Sequence, residues 1–103
     1  MDLKKLVEVG RVEVVYTVTG LGEMHFTLPP SDQIKTGESP FILIAKHITR
    51  VGDQDCTSEG AKLELVESLK KAQPGVVAKM AKICEDLLDE QTKAVEGLFG
   101  KNS

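Results

Sequence analysis

The sequence predicts an α+β fold in which an N-terminal β-hairpin is followed by three helices, the last of them long. Two patterns predict this arrangement. Apolar residues alternate with polar ones over residues 11–28, as in a strand with one face on a core. From residue 40 onwards they recur at intervals of three and four, as in an amphipathic helix. The 103 residues suit one domain, 1–103, with a hairpin region at 1–30 and a helical region at 39–99.

The hairpin is the clearest local signal in the chain. Gly20 and Gly22 lie between its two alternating runs and can adopt the positive φ angles of a tight turn. Pro29 and Pro30 end the second strand because proline donates no ladder hydrogen bond. Residues 3–9 before it predict either a short strand or a turn of helix, and residues 31–39 after it predict a loop or a short helical turn.

The first helix is predicted over residues 40–51. Ser39 supplies an N-cap and Pro40 occupies the first helical position, a favourable pairing. The alternative for residues 41–45 is a buried strand, since they are all apolar. The polar residues Lys46, His47 and Arg50 on the opposite face favour the helix.

Two further helices complete the predicted order. One covers residues 58–72, with Thr57 or Ser58 as its N-cap, and residues 73–75 end it. The closing helix begins at Val76 and carries an apolar stripe for about six turns, with Gly100 as a plausible C-cap. Together these patterns predict a hydrophobic core. Its expected members are Val14, Tyr16, Phe26, Ile44, Ile48, Leu65, Leu69, Ile83 and Leu87.

Charge and hydropathy exclude several classes of partner. The net charge is −3, and the 13 lysines and arginines alternate with acids, so we expect no nucleic-acid partner; a local patch of Lys4, Lys5 and Arg11 is the alternative. The longest apolar run, residues 41–45, is far shorter than the roughly 20 residues that span a bilayer, so we expect no membrane insertion. Residues 1–10 show no secretory signal, so we expect a cytoplasmic location.

The residues capable of chemistry are few and scattered. His25 and His47 are predicted to be surface histidines, Cys84 to be buried, and Cys56 to be a partly exposed free thiol. A calcium loop beginning at Asp53 would have Ser58 in place of the glycine that such loops require at their sixth position, and its twelfth position, Glu64, falls in the middle of a predicted helix. The sequence therefore predicts no catalytic residues, no metal site and no cofactor, and favours a protein that is not an enzyme.

A protein-binding surface is predicted at the end of the closing helix, around Leu88, Val95, Leu98 and Phe99. The apolar stripe continues almost to the C-terminus, and a chain of this size offers little surface to cover six helical turns. We expect this surface to bind either a second copy or an unrelated protein.

Residues 11–95 resemble the small tail or baseplate assembly chaperones of tailed bacteriophages. The similarity is carried by residues 26–31 (Phe-Thr-Leu-Pro-Pro-Ser), 48–53 (Ile-Thr-Arg-Val-Gly-Asp), the capped helix with Leu65 and Leu69, and residues 76–88. The Trp-Asp-Gly loop of some relatives is replaced by residues 50–53. The resemblance implies a protein that holds a tail component, such as the tape measure protein, soluble in the host cytoplasm until assembly. It implies no catalytic residues. The alternative is a small structural subunit of a virion or other complex.

Overall fold

The computed structural model describes residues 2–101 and contains a four-stranded antiparallel sheet with helices packed against one face. The strands are β1 (Glu13–Val18), β2 (Gly22–Thr27), β3 (Ile48–Val51) and β4 (Gln54–Asp55), in that order across the sheet. The helices are α1 (Pro40–His47), α2 (Glu59–Lys71) and α3 (Pro74–Glu96), and 3₁₀ helices occupy Leu3–Val7 and Ser31–Gln33. The predicted α+β class, with its N-terminal hairpin and long last helix, is confirmed.

The hairpin forms where the alternation predicted it. β1 and β2 pair from Glu13 opposite Thr27 to Val18 opposite Gly22. The turn between them uses the two predicted glycines, with φ of 83° at Gly20 and 97° at Gly22. These angles favour glycine because a side chain would clash with the backbone there.

The predicted helix over residues 40–51 is wrong in its second part. Ser39 accepts a hydrogen bond from the amide of Phe41 at 3.3 Å, as a helix N-cap does, but α1 ends at His47. Ile48 has φ −84° and ψ 128°, and the chain continues as β3, which pairs with β2. A β-branched residue at three of four positions favours a strand there. The sheet therefore has two strands beyond the predicted hairpin.

The remaining helices begin close to their predicted starts. The hydroxyl of Ser58 accepts from the amide of Ala61 at 3.1 Å and caps α2. Pro74 is the first residue of α3. The predicted C-cap at Gly100 is wrong, because α3 ends at Glu96 with Gly97 as its C-cap.

The core lies between the sheet and the three helices. Six predicted core residues are buried, and Val14 and Leu65 pack partly buried around them. The buried six are Phe26, Ile44, Ile48, Leu69, Ile83 and Leu87. Tyr16 was predicted wrongly, since it is 41% exposed. It lies on the core face of an edge strand, where the packed helices leave part of the ring uncovered.

Two polar or reactive side chains are more buried than predicted. His47, predicted at the surface, is 3% exposed, and its Nδ1 donates to the carbonyl of Leu43 at 2.8 Å. Cys56, predicted to be partly exposed, is also 3% exposed. Both lie close to the junction of α1, β3 and β4, which the sequence pattern did not reveal. Cys84 is buried as predicted.

No helix formed by residues 2–101 combines the length and the apolar character needed to cross a membrane.

Candidate protein-binding surface

The predicted binding residues lie at the C-terminal end of α3 and just after it. Leu98 is 59% exposed and Phe99 is 73% exposed, both in the turn that follows the helix. Leu88 is 42% exposed within α3, and Val95 is half-buried. Three of the four predicted residues therefore present apolar surface to solvent. That they bind protein remains a prediction.

The N-terminal 3₁₀ helix adds a second group of exposed apolar side chains. Leu3, Leu6 and Val7 are each between 72% and 75% exposed. The Asp2 carboxylate accepts from the amide of Lys4 at 3.0 Å and caps this segment. The sequence analysis did not assign this segment to the binding surface. An N-capping aspartate followed by apolar residues at positions 3, 6 and 7 is nevertheless a signal for a helical turn with one apolar face.

Residues 9–11 tie the N-terminal segment to the last turns of α3. The Gln91 Nε2 donates to the carbonyl oxygen of Gly10 at 3.0 Å. Gly10 has a φ of 75°, and a Cβ at this residue would lie 2.6 Å from the Cγ2 of Val95. Contact this close requires glycine, since real Cβ atoms do not approach other carbons so nearly. Val95 is thus half-buried because the backbone of Gly10 lies against it.

A surface groove with both apolar and polar lining lies where these segments meet. We call it the terminal groove; it has a volume of about 350 Å³, and its apolar walls are Leu6, Val7, Val9, Ile34 and Leu88. Through Leu88 and Ile34 it borders a smaller depression of about 140 Å³ that reaches the buried Cys84. The groove therefore leads from exposed side chains to the edge of the core.

Charged groups at the rim of the terminal groove are paired with each other. Arg11 contacts both carboxylate oxygens of Glu8, at 3.1 and 3.3 Å, and both side chains are well exposed. Gln91 and Ser31 add neutral polar groups to the lining. Protein–protein interfaces likewise combine apolar contacts with polar, solvent-accessible groups.

The whole molecule exposes more surface than a compact monomer of its mass. Its accessible surface is 7648 Å², against about 5,700 Å² expected for a globular monomer of this size. Its radius of gyration is 15.2 Å, with extents of 54 × 28 × 25 Å, whereas about 13 Å is typical for this length. The excess includes many exposed large apolar side chains, which is unusual unless a partner covers them.

Residues 2–101 contain no cluster of three histidine, cysteine or acidic side chains arranged to hold a metal ion. The Oδ1 of Asp55 accepts from the amide and the hydroxyl of Thr57, at 2.7 and 2.5 Å. These hydrogen bonds lower the pKa of Asp55. Asp55 thus closes a local turn before α2.

Both thiols are buried, which disfavours the thiolate form that reacts as a nucleophile. Burial raises the pKa of Cys84 to about 12 and also raises the pKa of Cys56. His25 lies on the outer face of the sheet, where its Nδ1 contacts a carboxylate oxygen of Glu13 at 2.8 Å. His25 and the two thiols therefore lie apart, on the outer face of the sheet and in the core.

Comparison with protein-family models, with curated proteins and with solved structures found no match. A function for this chain is therefore inferred from its own surface, core and charges.

Proposed function

We propose that this chain is a non-enzymatic protein-binding module of the tail-assembly-chaperone type. It holds an apolar helical segment of a tail component, such as the tape measure protein, soluble until assembly. The observation that carries the proposal is the exposure of large apolar side chains after α3, at Leu98 and Phe99, in addition to the terminal groove beside Leu88. The sequence resemblance supplies the class of partner.

The groove suits an amphipathic helix better than a small ligand. Its lining combines apolar and polar groups, its one charged lining residue, Arg11, is paired with Glu8, and its walls come from segments distant in sequence. A partner helix would place its apolar face on Leu6 and Leu88, as in other helix-in-groove complexes. Covering Leu98 and Phe99 as well would contribute on the order of 1.5–3 kcal/mol for each fully buried side chain.

The test is co-expression with a tape measure protein of a tailed bacteriophage, chosen from the gene neighbourhood of this chain. We expect the wild-type chain to raise the soluble fraction of that protein and to co-purify with it. The double variant Leu98→Ser with Phe99→Ser should lose both effects. Leu63→Ser is the matched control, since Leu63 is 65% exposed on α2 and lies outside the terminal groove.

Two results would contradict the proposal. One is an unchanged soluble fraction of the tape measure protein in the presence of the wild-type chain. The other is equal loss in the Leu63 control and in the double variant, which would mean that general surface hydrophobicity causes the effect.

A second candidate function is a small structural subunit of a virion or other complex. The uncovered edge of β1 favours it, because edge strands readily pair with neighbouring chains. Mass spectrometry of purified particles separates the two functions. Stoichiometric amounts of the chain in finished particles would support a subunit, and its absence would support a chaperone.

A further inference from the structure

β1 is an edge strand without the usual protection against pairing. It lies at one end of the sheet order, and its six residues, Glu-Val-Val-Tyr-Thr-Val, include one charged side chain and no proline or lysine. Natural proteins normally blunt an exposed edge with lysine, proline or a bulge, because its free amides and carbonyls recruit other strands. An edge of this composition is suited to pairing with another strand.

The hydrogen bonds of β2 determine which backbone groups of β1 point outward. The amide of Gly52 donates to the carbonyl of Glu23 at 2.7 Å, so Glu23 directs its backbone groups toward β3. Alternate residues of a central antiparallel strand bond to opposite neighbours. His25 therefore also faces β3, whereas Met24 and Phe26 face β1.

The β1–β2 register then fixes the free edge. Tyr16 and Val14 lie opposite Met24 and Phe26 and bond to β2. The intervening Glu13, Val15 and Thr17 direct their N–H and C=O groups away from the sheet. These three residues form a ladder available to a second strand.

The side chains of β1 are also incompletely covered. Val15 is 46% exposed and Val18 is 37% exposed. The ring of Tyr16 meets the buried ring of Phe26 edge to face, with centroids 5.9 Å apart, yet 41% of Tyr16 is exposed. The ring of Tyr16, although on the core face, is thus partly exposed to solvent at the edge of the sheet.

We propose that β1 pairs antiparallel with β1 of a second copy, forming an eight-stranded sheet across a two-fold axis at Val15. This inference goes beyond the proposed function and does not depend on it. Val15 then lies opposite Val15 of the second copy, and Glu13 lies opposite Thr17. Val14 becomes the cross-strand neighbour of the second copy's Tyr16 and covers its exposed ring.

The two-fold register centred on Val15 satisfies more of the free backbone hydrogen-bonding groups of β1 than the alternative registers do. Every outward amide and carbonyl of Glu13, Val15 and Thr17 finds a partner, and no like charges face each other. Centring on Glu13 would place two carboxylates opposite each other, and centring on Thr17 would extend the ladder into the hairpin turn. Apolar surface for the contact comes from Val15, Tyr16 and Val18, which are 46%, 41% and 37% exposed.

Light scattering and sedimentation velocity of the full chain test the association. We expect the wild type to form a species of twice the 11.2 kDa mass of the chain. Val15→Lys should weaken dimerisation at least tenfold, because it places two lysines directly opposite each other. Thr17→Lys should leave it intact, since that lysine would face Glu13 of the second copy.

The two lysine variants are matched, because each adds one positive charge to the outer face of the same strand. In the monomer the new lysines would lie near the acids Glu13 and Glu23, so both variants should keep the wild-type melting behaviour once dimer dissociation is taken into account. A monomeric wild type, a dimeric Val15→Lys, or equal disruption by both lysines would overturn the proposal.

Cysteine cross-linking tests the register directly. Directly opposed, hydrogen-bonded residues have Cα atoms about 5.5 Å apart, within disulfide range. Val15→Cys should therefore give a covalent dimer on mild oxidation. Thr17→Cys should not, because its counterpart would lie about 13 Å along the strand. The native thiols are buried and do not compete. Equal cross-linking of the two variants would overturn the register and with it the proposed dimer.

Discussion

Two consecutive parts of α3 share one apolar periodicity but have different surroundings. From Met80 to Leu87 the stripe is buried in the core, and Leu87 is 1% exposed. Beyond it, Leu88 is 42% exposed, and the turn after the helix leaves Phe99 73% exposed. Periodicity establishes the helix and its apolar face. What covers that face depends on elements elsewhere in the chain, and beyond Leu87 the stripe borders residues 9–11 and the terminal groove.

The largest expected difference between these two parts of α3 is at the adjacent positions Leu87 and Leu88. Leu87→Ala should lower the free energy of unfolding by about 2–5 kcal/mol, because it leaves a cavity in a fully buried site. Leu88→Ala removes the same atoms from a half-exposed side chain and should cost less than about 1 kcal/mol. Urea denaturation of both variants measures the difference. Equal losses would mean that α3 is as well packed after Leu87 as before it.

The next prediction concerns the contact between Gly10 and Val95, because this contact holds the N-terminal segment against the last turns of α3. Gly10→Ala should destabilise the chain by about 1–3 kcal/mol more than Gly37→Ala, since the new methyl group would overlap Val95. Gly37 is the matched control: its φ is 73°, close to the 75° of Gly10, and a Cβ there meets nothing within 4 Å. Both variants carry the same backbone strain.

Val95→Ala in the Gly10→Ala background should recover most of that extra loss, because it shortens the overlapping side chain. Chemical denaturation of the single and double variants measures the coupling between the two sites. Equal stabilities of the Gly10 and Gly37 variants would show that the N-terminal segment is not held against α3.

Replacing Lys62 tests the hydrogen bonds that join α2 to the end of α1. Its Nζ donates to the carbonyls of Ala45 at 2.8 Å and Ile48 at 2.9 Å, joining α2 to the end of α1. Burial lowers the pKa of Lys62. Lys62→Met keeps the apolar stem but leaves two buried carbonyls without this donor, at an expected cost of about 1–3 kcal/mol.

Lys71→Met is the control for that substitution, because Lys71 lies exposed at the end of α2. A thermal melt of both variants should place the Lys62 variant well below the control. Similar melting temperatures would show that water replaces the lysine at these carbonyls.

Local patterns predicted the elements with clear periods and missed those that depend on distant packing. Alternation identified the hairpin, and capping residues placed the starts of α1 and α2. The helix predicted over residues 48–51 was wrong because Ile48 is apolar and would be buried in either a helix or a strand. The apolar pattern therefore does not distinguish the two structures there. The predicted burial of Tyr16 was wrong because alternation identifies the core face of a strand but not whether another element covers that face.

The candidate surface was only half predictable for the same reason. Leu98 and Phe99 follow the stripe of α3, so their exposure follows from the shortage of facing surface. The N-terminal 3₁₀ helix reaches the same end of the molecule through contacts between residues 81 positions apart, such as Gly10 and Gln91. No local pattern carries that information.

The smallest expected effect concerns His47, whose buried imidazole lies at the end of α1. Its burial lowers its pKa below the ordinary 6.5, against the opposing effect of its hydrogen bond to the Leu43 carbonyl. In the unfolded chain the imidazole regains its ordinary pKa. Below that value the unfolded chain binds a proton that the folded chain does not, so the free energy of unfolding falls as the pH falls through about 6.5. Above it, this contribution is constant.

His47→Gln should therefore reduce the difference between melting temperatures measured at about pH 7.5 and about pH 5.5, whatever its effect on stability at either pH alone. His25→Gln is the matched control, since His25 is the only other histidine in the chain and lies on the outer face of the sheet. The control should keep the difference that His47 causes. If the two variants and the wild type lose the same number of degrees between the two pH values, proton uptake at His47 does not contribute. The imidazole would then be able to accept its proton without leaving the core, and the end of α1 would be more accessible to water than its burial indicates.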